Sequence, residues 1–258
     1  MSDEEFLVES RGAVTVLTLN RPQARNALNG NLIAGIGATV LAAEQDPGIR
    51  ALVLTAAGDK AFCSGMDLRA FSGGEDVGFS DTPENRAFQR LTRGQVEVPV
   101  IGAANGTAVG GGLELLLGCD LIVAADTAKF GLPEVQRGLF PGGGGTYIAE
   151  RIPLGIALQL TLTGDYFTAA RGYEIGLFNA VTPADQVLDT AIAFAERIAA
   201  NGPLGVAACK DLVRLSVTDP GKATERLRHW QGVVFASADA KEGATAFMEK
   251  REPVWQGK

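Results

Sequence analysis

The sequence has a single histidine, His229, among 258 residues. A nucleophilic triad or an imidazole general base needs a histidine beside the reacting group, and His229 instead stands next to Trp230 in a predicted C-terminal helix. Cysteine is scarce as well: Cys63, Cys119 and Cys209 are far apart and form no CxxC pair. Neither a metal site nor a disulfide framework is therefore predicted. Reduced cysteines are typical of a cytoplasmic protein.

Positive charge is also in short supply. The 23 Lys and Arg residues are outnumbered by 30 Asp and Glu residues, and the net charge is −7. Without a basic stripe, no nucleic-acid partner is predicted. The uncharged segment from Val98 to Leu113 contains Pro99, Asn105 and five glycines. It is shorter than the roughly 20 residues of a spanning helix, and the amino terminus lacks a signal pattern. No membrane partner is predicted.

Glycine, in contrast, is abundant and clustered, with 33 residues. Two of the clusters resemble nucleotide-binding loops only in part. The run Gly142 to Thr146 lacks the lysine of a P-loop, and Gly35-Ile-Gly37 lacks the third glycine of a dinucleotide fingerprint. Turns and close packing account for both clusters.

Strand and helix patterns alternate over most of the chain. Ala13 to Leu19 alternates as a half-buried strand, and Asn29 to Ala43 has apolar residues at helical spacing. Short apolar strands at Ala51 to Leu54 and Val98 to Ala103 each lead into a loop and a helix, and Leu121 to Gly138 repeats the unit more loosely. The composition from Phe71 to Glu84 predicts an exposed loop.

The chain becomes strongly helical after Pro183. Helices are predicted across 204–217, 221–237 and 240–250, the last with Asp239 and Glu242 as its capping pair. The sequence thus predicts a mixed α/β core over residues 1–200 and a helical segment over residues 201–258.

Two carboxylates stand in apolar surroundings. Glu114 follows Gly110-Gly-Gly-Leu113 directly, and Glu134 lies within Phe130 to Gly138. An unpaired buried charge is costly, so such acids indicate function. Gly110 to Gly112 is placed where a loop becomes a helix, at the positive end of the helix dipole. Ser64-Gly65-Met66 has the equivalent place in the preceding unit. A turn explains either cluster alone, but the matched pair favours an oxyanion hole beside proton-transferring acids.

These and further motifs resemble the crotonase, or enoyl-CoA hydratase/isomerase, superfamily. The matching motifs run in order along nearly the whole chain: Asn20 to Pro22, Asn26 to Asn29, Ala61 to Leu68, Asn105-Gly106, Gly110 to Glu114, Cys119-Asp120, Phe130 to Glu134, Gly143 to Thr146, Leu162 to Gly164 and Glu242 to Lys250. The resemblance implies an α/β spiral of ββα units with a helical C-terminal oligomerisation segment. It also implies a homotrimer or a dimer of trimers, and an acyl-CoA thioester substrate with no separate cofactor.

The resemblance further implies the roles of individual residues. The backbone N–H groups of Met66 and Gly111 map onto the oxyanion donors. Of the two acids, Glu114 is assigned to the water and Glu134 to protonation of Cα. The CoA arm is expected along a set of residues that would use mainly backbone groups and basic side chains: Arg25, Ala27, Lys60, Ala61, Ser64, Gly65, Asp67, Leu68 and Lys250. Candidates for the acyl pocket, for which core packing is an equally good account, are Phe71 to Phe88, Trp230, Phe235 and Phe247.

The presence of both acids favours hydration of a 2-trans-enoyl-CoA to a 3-hydroxyacyl-CoA. Three alternatives stay open. A Δ3,Δ2-enoyl-CoA isomerase needs only one acid. A specialised acyl-CoA dehydratase, such as a carnitinyl-CoA dehydratase, is suggested by the stretch Gly131 to Phe140. A non-catalytic acyl-CoA-binding protein would need neither acid.

Overall fold

The computed structural model describes residues 4–74, 76, 78 and 80–258. The strands are β1 (Phe6–Arg11), β2 (Val14–Leu19), β3 (Ala51–Ala56), β4 (Ala61–Cys63), β5 (Val100–Ala104), β6 (Thr107–Val109), β7 (Leu121–Ala125), β8 (Lys129–Gly131), β9 (Phe167–Thr168) and β10 (Ala180–Thr182). The α-helices are α1 (Gly30–Gln45), α2 (Leu68–Ser72), α3 (Pro83–Thr92), α4 (Gly111–Leu117), α5 (Leu154–Thr163), α6 (Ala169–Glu174), α7 (Val187–Ala199), α8 (Pro203–Thr218), α9 (Pro220–Ala236) and α10 (Ala238–Glu249). Short 3₁₀ helices span Pro22–Ala24, Pro133–Arg137, Gly145–Glu150 and Ala184–Gln186.

The strands form two sheets that the chain visits alternately. The first has the order β1-β2-β3-β5-β7-β10, and the second has the order β4-β6-β8-β9. Within the sheets, β3, β5 and β7 are parallel neighbours, and so are β4, β6 and β8. The pairs β3 and β4, β5 and β6, and β7 and β8 each add one strand to each sheet, and a helical part follows each pair. This arrangement confirms the predicted spiral of ββα units.

Apolar runs place the first sheet at the centre of the core. All side chains of β3 and β5 are buried, as expected for parallel strands covered on both faces. The largest fully buried side chains include Phe62 on β4 and Phe130 on β8. The second sheet is therefore anchored in the same core, and the carboxyl ends of its strands are held at fixed positions.

Several local predictions are confirmed and others need correction. Helix α1 begins after Asn29, whose side chain accepts from the Leu32 N–H, and Asp46 ends it. The loop predicted from Phe71 is shorter than expected, because α2 continues to Ser72 and α3 begins at Pro83. Residues 75, 77 and 79 of that loop lie outside the described residues.

The three C-terminal helices α8, α9 and α10 match the predicted helices closely, but the predicted capping pair is wrong. Ser237 caps α10 by accepting from the Ala240 N–H. Asp239 is buried and accepts from the N–H groups of Gln256 and Gly257. Glu242 forms an ion pair with Arg251. Among the described residues, no helix has both the length and the apolar content to cross a membrane.

Candidate active site

The candidate site forms where three neighbouring parallel strands of the second sheet end. Cys63 at the end of β4 is paired in register with Ala108 of β6, and Val109 of β6 is paired with Gly131 of β8. Met66 and Gly111 each come three residues after the first of these pairs, and Glu134 comes three residues after Gly131. Strand register alone therefore brings the predicted amide donors and one acid to the same edge.

The peptide groups of Met66 and Gly111 face each other. A Cβ atom on Gly111 would lie 3.5 Å from the Met66 nitrogen, so this nitrogen is within about 5 Å of the Gly111 Cα. Leu28 bonds to the residues on either side of Met66, through the Gly65 carbonyl and the Asp67 N–H, which directs the Met66 N–H away from Leu28. Neither the Met66 nor the Gly111 N–H donates a hydrogen bond within the described residues.

Gly65 permits this close approach. Its φ is +92°, which glycine adopts without strain, and a Cβ atom there would lie 3.0 Å from the Val109 carbonyl and 3.2 Å from the Gly111 nitrogen. A side chain at Gly65 would therefore separate the two peptide groups. The Gly111 N–H is free because it belongs to the first turn of α4, where N–H groups have no partner within the helix.

Glu114 projects from α4 into a cradle of amides. Its side chain is buried, and Oε1 accepts hydrogen bonds from the Gly143 N–H at 2.8 Å and the Gly145 N–H at 2.9 Å. A Cβ atom on Gly143 would lie 2.8 Å from Glu114 Oε2, so the glycine run that resembled a phosphate loop instead admits a carboxylate. Burial raises the pKa of Glu114, the amide hydrogen bonds act to lower it, and the charge of Glu134 raises it further.

Glu134 lies in the 3₁₀ helix Pro133–Arg137 and has the opposite environment. Its Oε2 is buried without a hydrogen-bond partner among the described residues. Its Oε1 is 3.1 Å from the position of a Cβ atom on Gly110, directly beside the free Gly111 N–H. Burial raises the pKa of Glu134, although a hydrogen bond from its own backbone N–H and the charge of Arg137 act against the shift. A buried oxygen without a hydrogen-bond donor has nothing to stabilise a negative charge, so this environment favours the protonated, neutral form of Glu134.

The predicted CoA segments lie side by side. The Ser64 N–H donates to the Arg25 carbonyl at 3.1 Å, and the Leu28 N–H donates to the Gly65 carbonyl at 2.8 Å. Arg25 is exposed and has a φ of 52°. Ala27 and Ala61 have buried side chains. These residues form one continuous edge next to the Met66 amide.

Asn26, which the sequence analysis placed in a motif but not in the site, fixes that edge. It is fully buried with a φ of 54°. Its Oδ1 accepts from the Arg21 N–H, and its Nδ2 donates to the carbonyls of Ala57 and Ala61. The signal in the sequence was its place in the Asn26 to Asn29 motif, and an asparagine amide must find partners when it is buried.

Other predicted binding residues have partners of their own. The Asp67 carboxylate accepts from the Arg69 and Ala70 N–H groups at the start of α2 and from Arg21. Leu68 is 57% exposed. Lys60 is exposed, and Lys250 ends α10 with a φ of 56°. Contacts of these side chains with CoA stay predictions.

The aromatic candidates for the acyl pocket divide into two groups. Phe71 is exposed and Phe88 packs against the core. Phe235 and Phe247 are strongly exposed on α9 and α10, and the Trp230 indole donates to Asp211. The structure brings none of these C-terminal rings to Glu114 by a described contact. In the described part of the chain, no cluster of three His, Cys, Asp or Glu side chains could hold a metal ion.

A spiral of ββα units with paired amides at the carboxyl ends of neighbouring strands defines a protein of the crotonase fold. The sequence profile of the enoyl-CoA hydratase/isomerase family matches residues 9–258. Enoyl-CoA hydratase EchA19 of Mycobacterium tuberculosis is 38% identical over 100% of this chain and 98% of its own. Carnitinyl-CoA dehydratase of Proteus mirabilis is 37% identical over 96% of this chain and 97% of its own.

A solved structure agrees with these sequence relationships. The crystal structure of enoyl-CoA hydratase from Mycobacterium tuberculosis H37Rv superimposes with a TM-score of 0.92 and 43% identity, covering 99% of this chain and 100% of that one. The chain therefore belongs to the enoyl-CoA hydratase/isomerase family.

Proposed function

We propose that this protein is an enoyl-CoA hydratase that reversibly adds water to a 2-trans-enoyl-CoA and gives a 3-hydroxyacyl-CoA. The main support is the contrast between two acids at one edge: Glu114 is held by amides, whereas Glu134 has an unpartnered buried oxygen. The relatives named enoyl-CoA hydratase over the full length support the same activity.

The free N–H groups of Met66 and Gly111 bind the thioester oxygen in this proposal. When water adds at Cβ, electron density moves through the conjugated system and charge develops on that oxygen. Two preorganised donors stabilise the enolate, and loss of one such donor typically costs about 10²- to 10³-fold in kcat. The thioester itself accepts the electrons, so the proposed reaction needs no prosthetic group.

Glu114 is the general base in the proposal. Hydrogen bonds from Gly143 and Gly145 favour its ionised form, although burial keeps its pKa above the ordinary value. A base with a raised pKa binds a proton more readily than a solvated carboxylate does. Glu114 therefore deprotonates the water as it attacks Cβ.

Glu134 is the proposed acid. Burial favours its protonated form, and its Oε1 approaches Gly110 beside the Gly111 amide. It delivers a proton to Cα of the enolate, and proton transfer from Glu114 to Glu134 through solvent completes the cycle. Dehydration follows the same steps in reverse.

A hydration assay tests the proposal. Crotonyl-CoA and a panel of long, branched and aromatic enoyl thioesters, with a crotonobetainyl thioester for the carnitinyl alternative, are monitored for loss of the conjugated absorbance. Glu114→Gln and Glu134→Gln should each lower kcat by roughly 10²- to 10⁴-fold, whereas Glu225→Gln on the exposed surface of α9 should not. Full activity in either site variant would refute its assigned role.

The panel also separates the alternatives. An isomerase would interconvert 3-enoyl and 2-enoyl thioesters without incorporating oxygen from labelled water. A non-catalytic binding protein would retain acyl-CoA without turnover. Incorporation of one labelled oxygen into the product, with both glutamates required, supports the hydratase.

We further propose that residues 1–200 carry the site and that residues 201–258 assemble homotrimers, which can pair into hexamers. Large exposed apolar side chains on the C-terminal helices support this, because isolated chains rarely leave such surfaces open. The group comprises Val213, Val217, Phe235, Phe247 and Met248. Light scattering after gel filtration checks the assembly. The three cysteines are unpaired, which supports a reducing compartment such as the cytoplasm.

A further inference from the structure

Arg151 holds the carboxyl end of α4, the helix that carries Glu114. Its Nη1 donates to the carbonyls of Leu117 at 2.8 Å and Cys119 at 2.5 Å, and its Nη2 donates to the carbonyl of Asp120 at 3.3 Å. The last carbonyls of a helix lack intrahelical partners and form the negative end of its dipole. Leu117 is the last residue of α4, and the Cys119 and Asp120 carbonyls follow just beyond it. A guanidinium is well suited to bind several carbonyls at once.

The segment that ends at Arg151 also contains the amides that hold Glu114. The Gly143 and Gly145 N–H groups bind the carboxylate, the 3₁₀ helix Gly145–Glu150 follows, and Arg151 comes next. This segment and α4 are therefore joined at two points. The carboxylate joins them near the amino end of α4, and the guanidinium joins them at its carboxyl end.

The charged guanidinium of Arg151 is paired with backbone carbonyls and not with a carboxylate. No carboxylate forms an ion pair with it in the described part of the chain, because the Asp120 side chain is taken by Lys210 and Arg214 of α8. A largely buried cation without a counter-ion is costly. Hydrogen bonds to backbone carbonyls offset the cost of burying this cation. The position of the Arg151 side chain therefore depends on the geometry of α4.

We propose that Arg151 is a positioning residue for Glu114: it fixes the separation between α4 and residues 143–151 and so places two amide donors on the Glu114 carboxylate. This role rests on the proposed hydration, in which Glu114 is the base. Arg151 itself has no contact with the reacting atoms.

Loss of Arg151 would change the protonation of Glu114 in a definite direction. If the amides move away, the hydrogen bonds that favour the carboxylate weaken and the Glu114 pKa rises. Glu134 is the side chain whose charge, when it ionises, raises the Glu114 pKa further. The Cys63 thiol of β4 is neutral because burial raises its pKa to about 12.

The charged side chains on the other elements packed on α4 are not among the main causes of the Glu114 pKa shift. Arg90 of α3 is paired with Glu44. Glu84 is half-buried in the first turn of the same helix. On the 3₁₀ helix, Tyr147 and Glu150 are exposed. A change in the pH dependence after substitution of Arg151 would thus report on the amide cradle.

Steady-state kinetics of Arg151→Gln and Arg151→Lys test the proposal. Arg151→Gln should lower kcat about 100-fold, as expected for a misplacement near 1 Å, with little change in KM. The acidic limb of its kcat profile should move to higher pH. Arg151→Lys keeps the charge and should recover part of the loss. Arg171→Gln, which removes an exposed ion pair with Glu174, is the matched control and should behave as wild type.

A double-mutant cycle separates positioning from general damage. In a Glu114→Gln background, Arg151→Gln should add little further loss, because its effect passes through Glu114. Circular dichroism and thermal unfolding establish that each variant is folded. Multiplicative losses in the cycle, or an unshifted pH profile in both folded Arg151 variants, would overturn the proposal.

An infrared titration without substrate distinguishes this inference from the proposed function. The carbonyl band of protonated Glu114, assigned by its loss in Glu114→Gln, should titrate at higher pH in Arg151→Gln. If the midpoint shifts but no enoyl thioester is hydrated by the wild type, the proposed activity is wrong and the positioning stands. If hydration occurs and the midpoint does not shift, the positioning is wrong.

Discussion

Oε1 of Glu134 lies 3.1 Å from the point at which Gly110 would carry a Cβ atom. Gly110 also has a φ of 55° and a ψ of −130°, a combination that other residues adopt only at a cost of about 1–3 kcal/mol. The contact means that the acid occupies space that glycine alone leaves open.

Gly110→Ala should therefore impair both catalysis and stability. The new methyl group would shift Glu134 by a few tenths of an ångström and strain the turn before the Gly111 amide, and we expect kcat to fall roughly tenfold. Steady-state kinetics and thermal unfolding measure the two effects. Gly232→Ala in α9, where a Cβ atom meets nothing within 4 Å, should leave kcat unchanged. Wild-type kcat in Gly110→Ala would show that Glu134 is misplaced.

Glu134→Gln should be more stable than the wild type at pH 8. Burial raises the folded-state pKa of Glu134, so its contribution to stability is complete below the unfolded pKa of about 4.3 and is lost as pH rises through the folded pKa. Glutamine does not ionise. The difference in free energy of unfolding should thus shrink towards pH 4, as measured by denaturant titration. A difference that grows on acidification would contradict the assigned shift.

Asp120→Asn should destabilise the protein, with the opposite pH dependence. Although burial opposes it, the charges of Lys210 and Arg214 hold the Asp120 pKa below its usual value. This stabilisation is present above the unfolded pKa of about 3.9 and is lost as pH falls through the folded pKa. Breaking such a buried network costs about 3–5 kcal/mol.

Denaturant unfolding at pH 7 checks this cost for Asp120→Asn. The matched control is Asp81→Asn, because Asp81 pairs with Arg86 on the surface and exposed pairs contribute about 0–1 kcal/mol. Equal losses of unfolding free energy in the two variants would mean that the ion pairs of Asp120 with α8 add no more stability than a surface pair.

Asn26→Ala should weaken substrate binding more than catalysis. Its side chain connects the Arg21 N–H to the carbonyls of Ala57 and Ala61, so its loss loosens the edge proposed for the CoA arm. We expect KM to rise about tenfold, which corresponds to roughly 1.4 kcal/mol, with a much smaller change in kcat.

A second variant isolates the cause of the Asn26 effect. Asn26→Gly removes the same hydrogen bonds but accepts the left-handed backbone at φ 54°. Similar KM values for both variants would identify the hydrogen bonds as the cause. A normal KM for Asn26→Gly would assign the effect to backbone strain.

The buried parallel strands and the place of Glu114 have local signals in the sequence, whereas the spiral was expected only from the resemblance to a family. Apolar runs such as β3 and β5 mark buried parallel strands, and a glutamate within an apolar run is conspicuous. The contacts of Arg151 could not be predicted in this way, since backbone carbonyls have no sequence signature.

The error at Asp239 has a related cause. Its spacing from Glu242 satisfies a capping pattern, but the helix begins two residues earlier, at Ala238 after Ser237. Asp239 is then free to bind the backbone of Gln256 and Gly257, which returns from the end of the chain. A local pattern cannot reveal a partner that tertiary folding supplies.

In the proposed function, the order of β4, β6 and β8 gives the bound thioester a direction. Neighbouring strands lie about 4.8 Å apart, so a ligand that enters over the Arg25 side of β4 meets first the Met66 amide, then the Gly111 amide and then Glu134. Leu139, whose N–H donates to the Glu134 carbonyl, and Phe140 are exposed close to that acid. If the proposed function holds, selectivity for tail length can therefore change around Leu139 and Phe140 while the contacts with the nucleotide end stay the same.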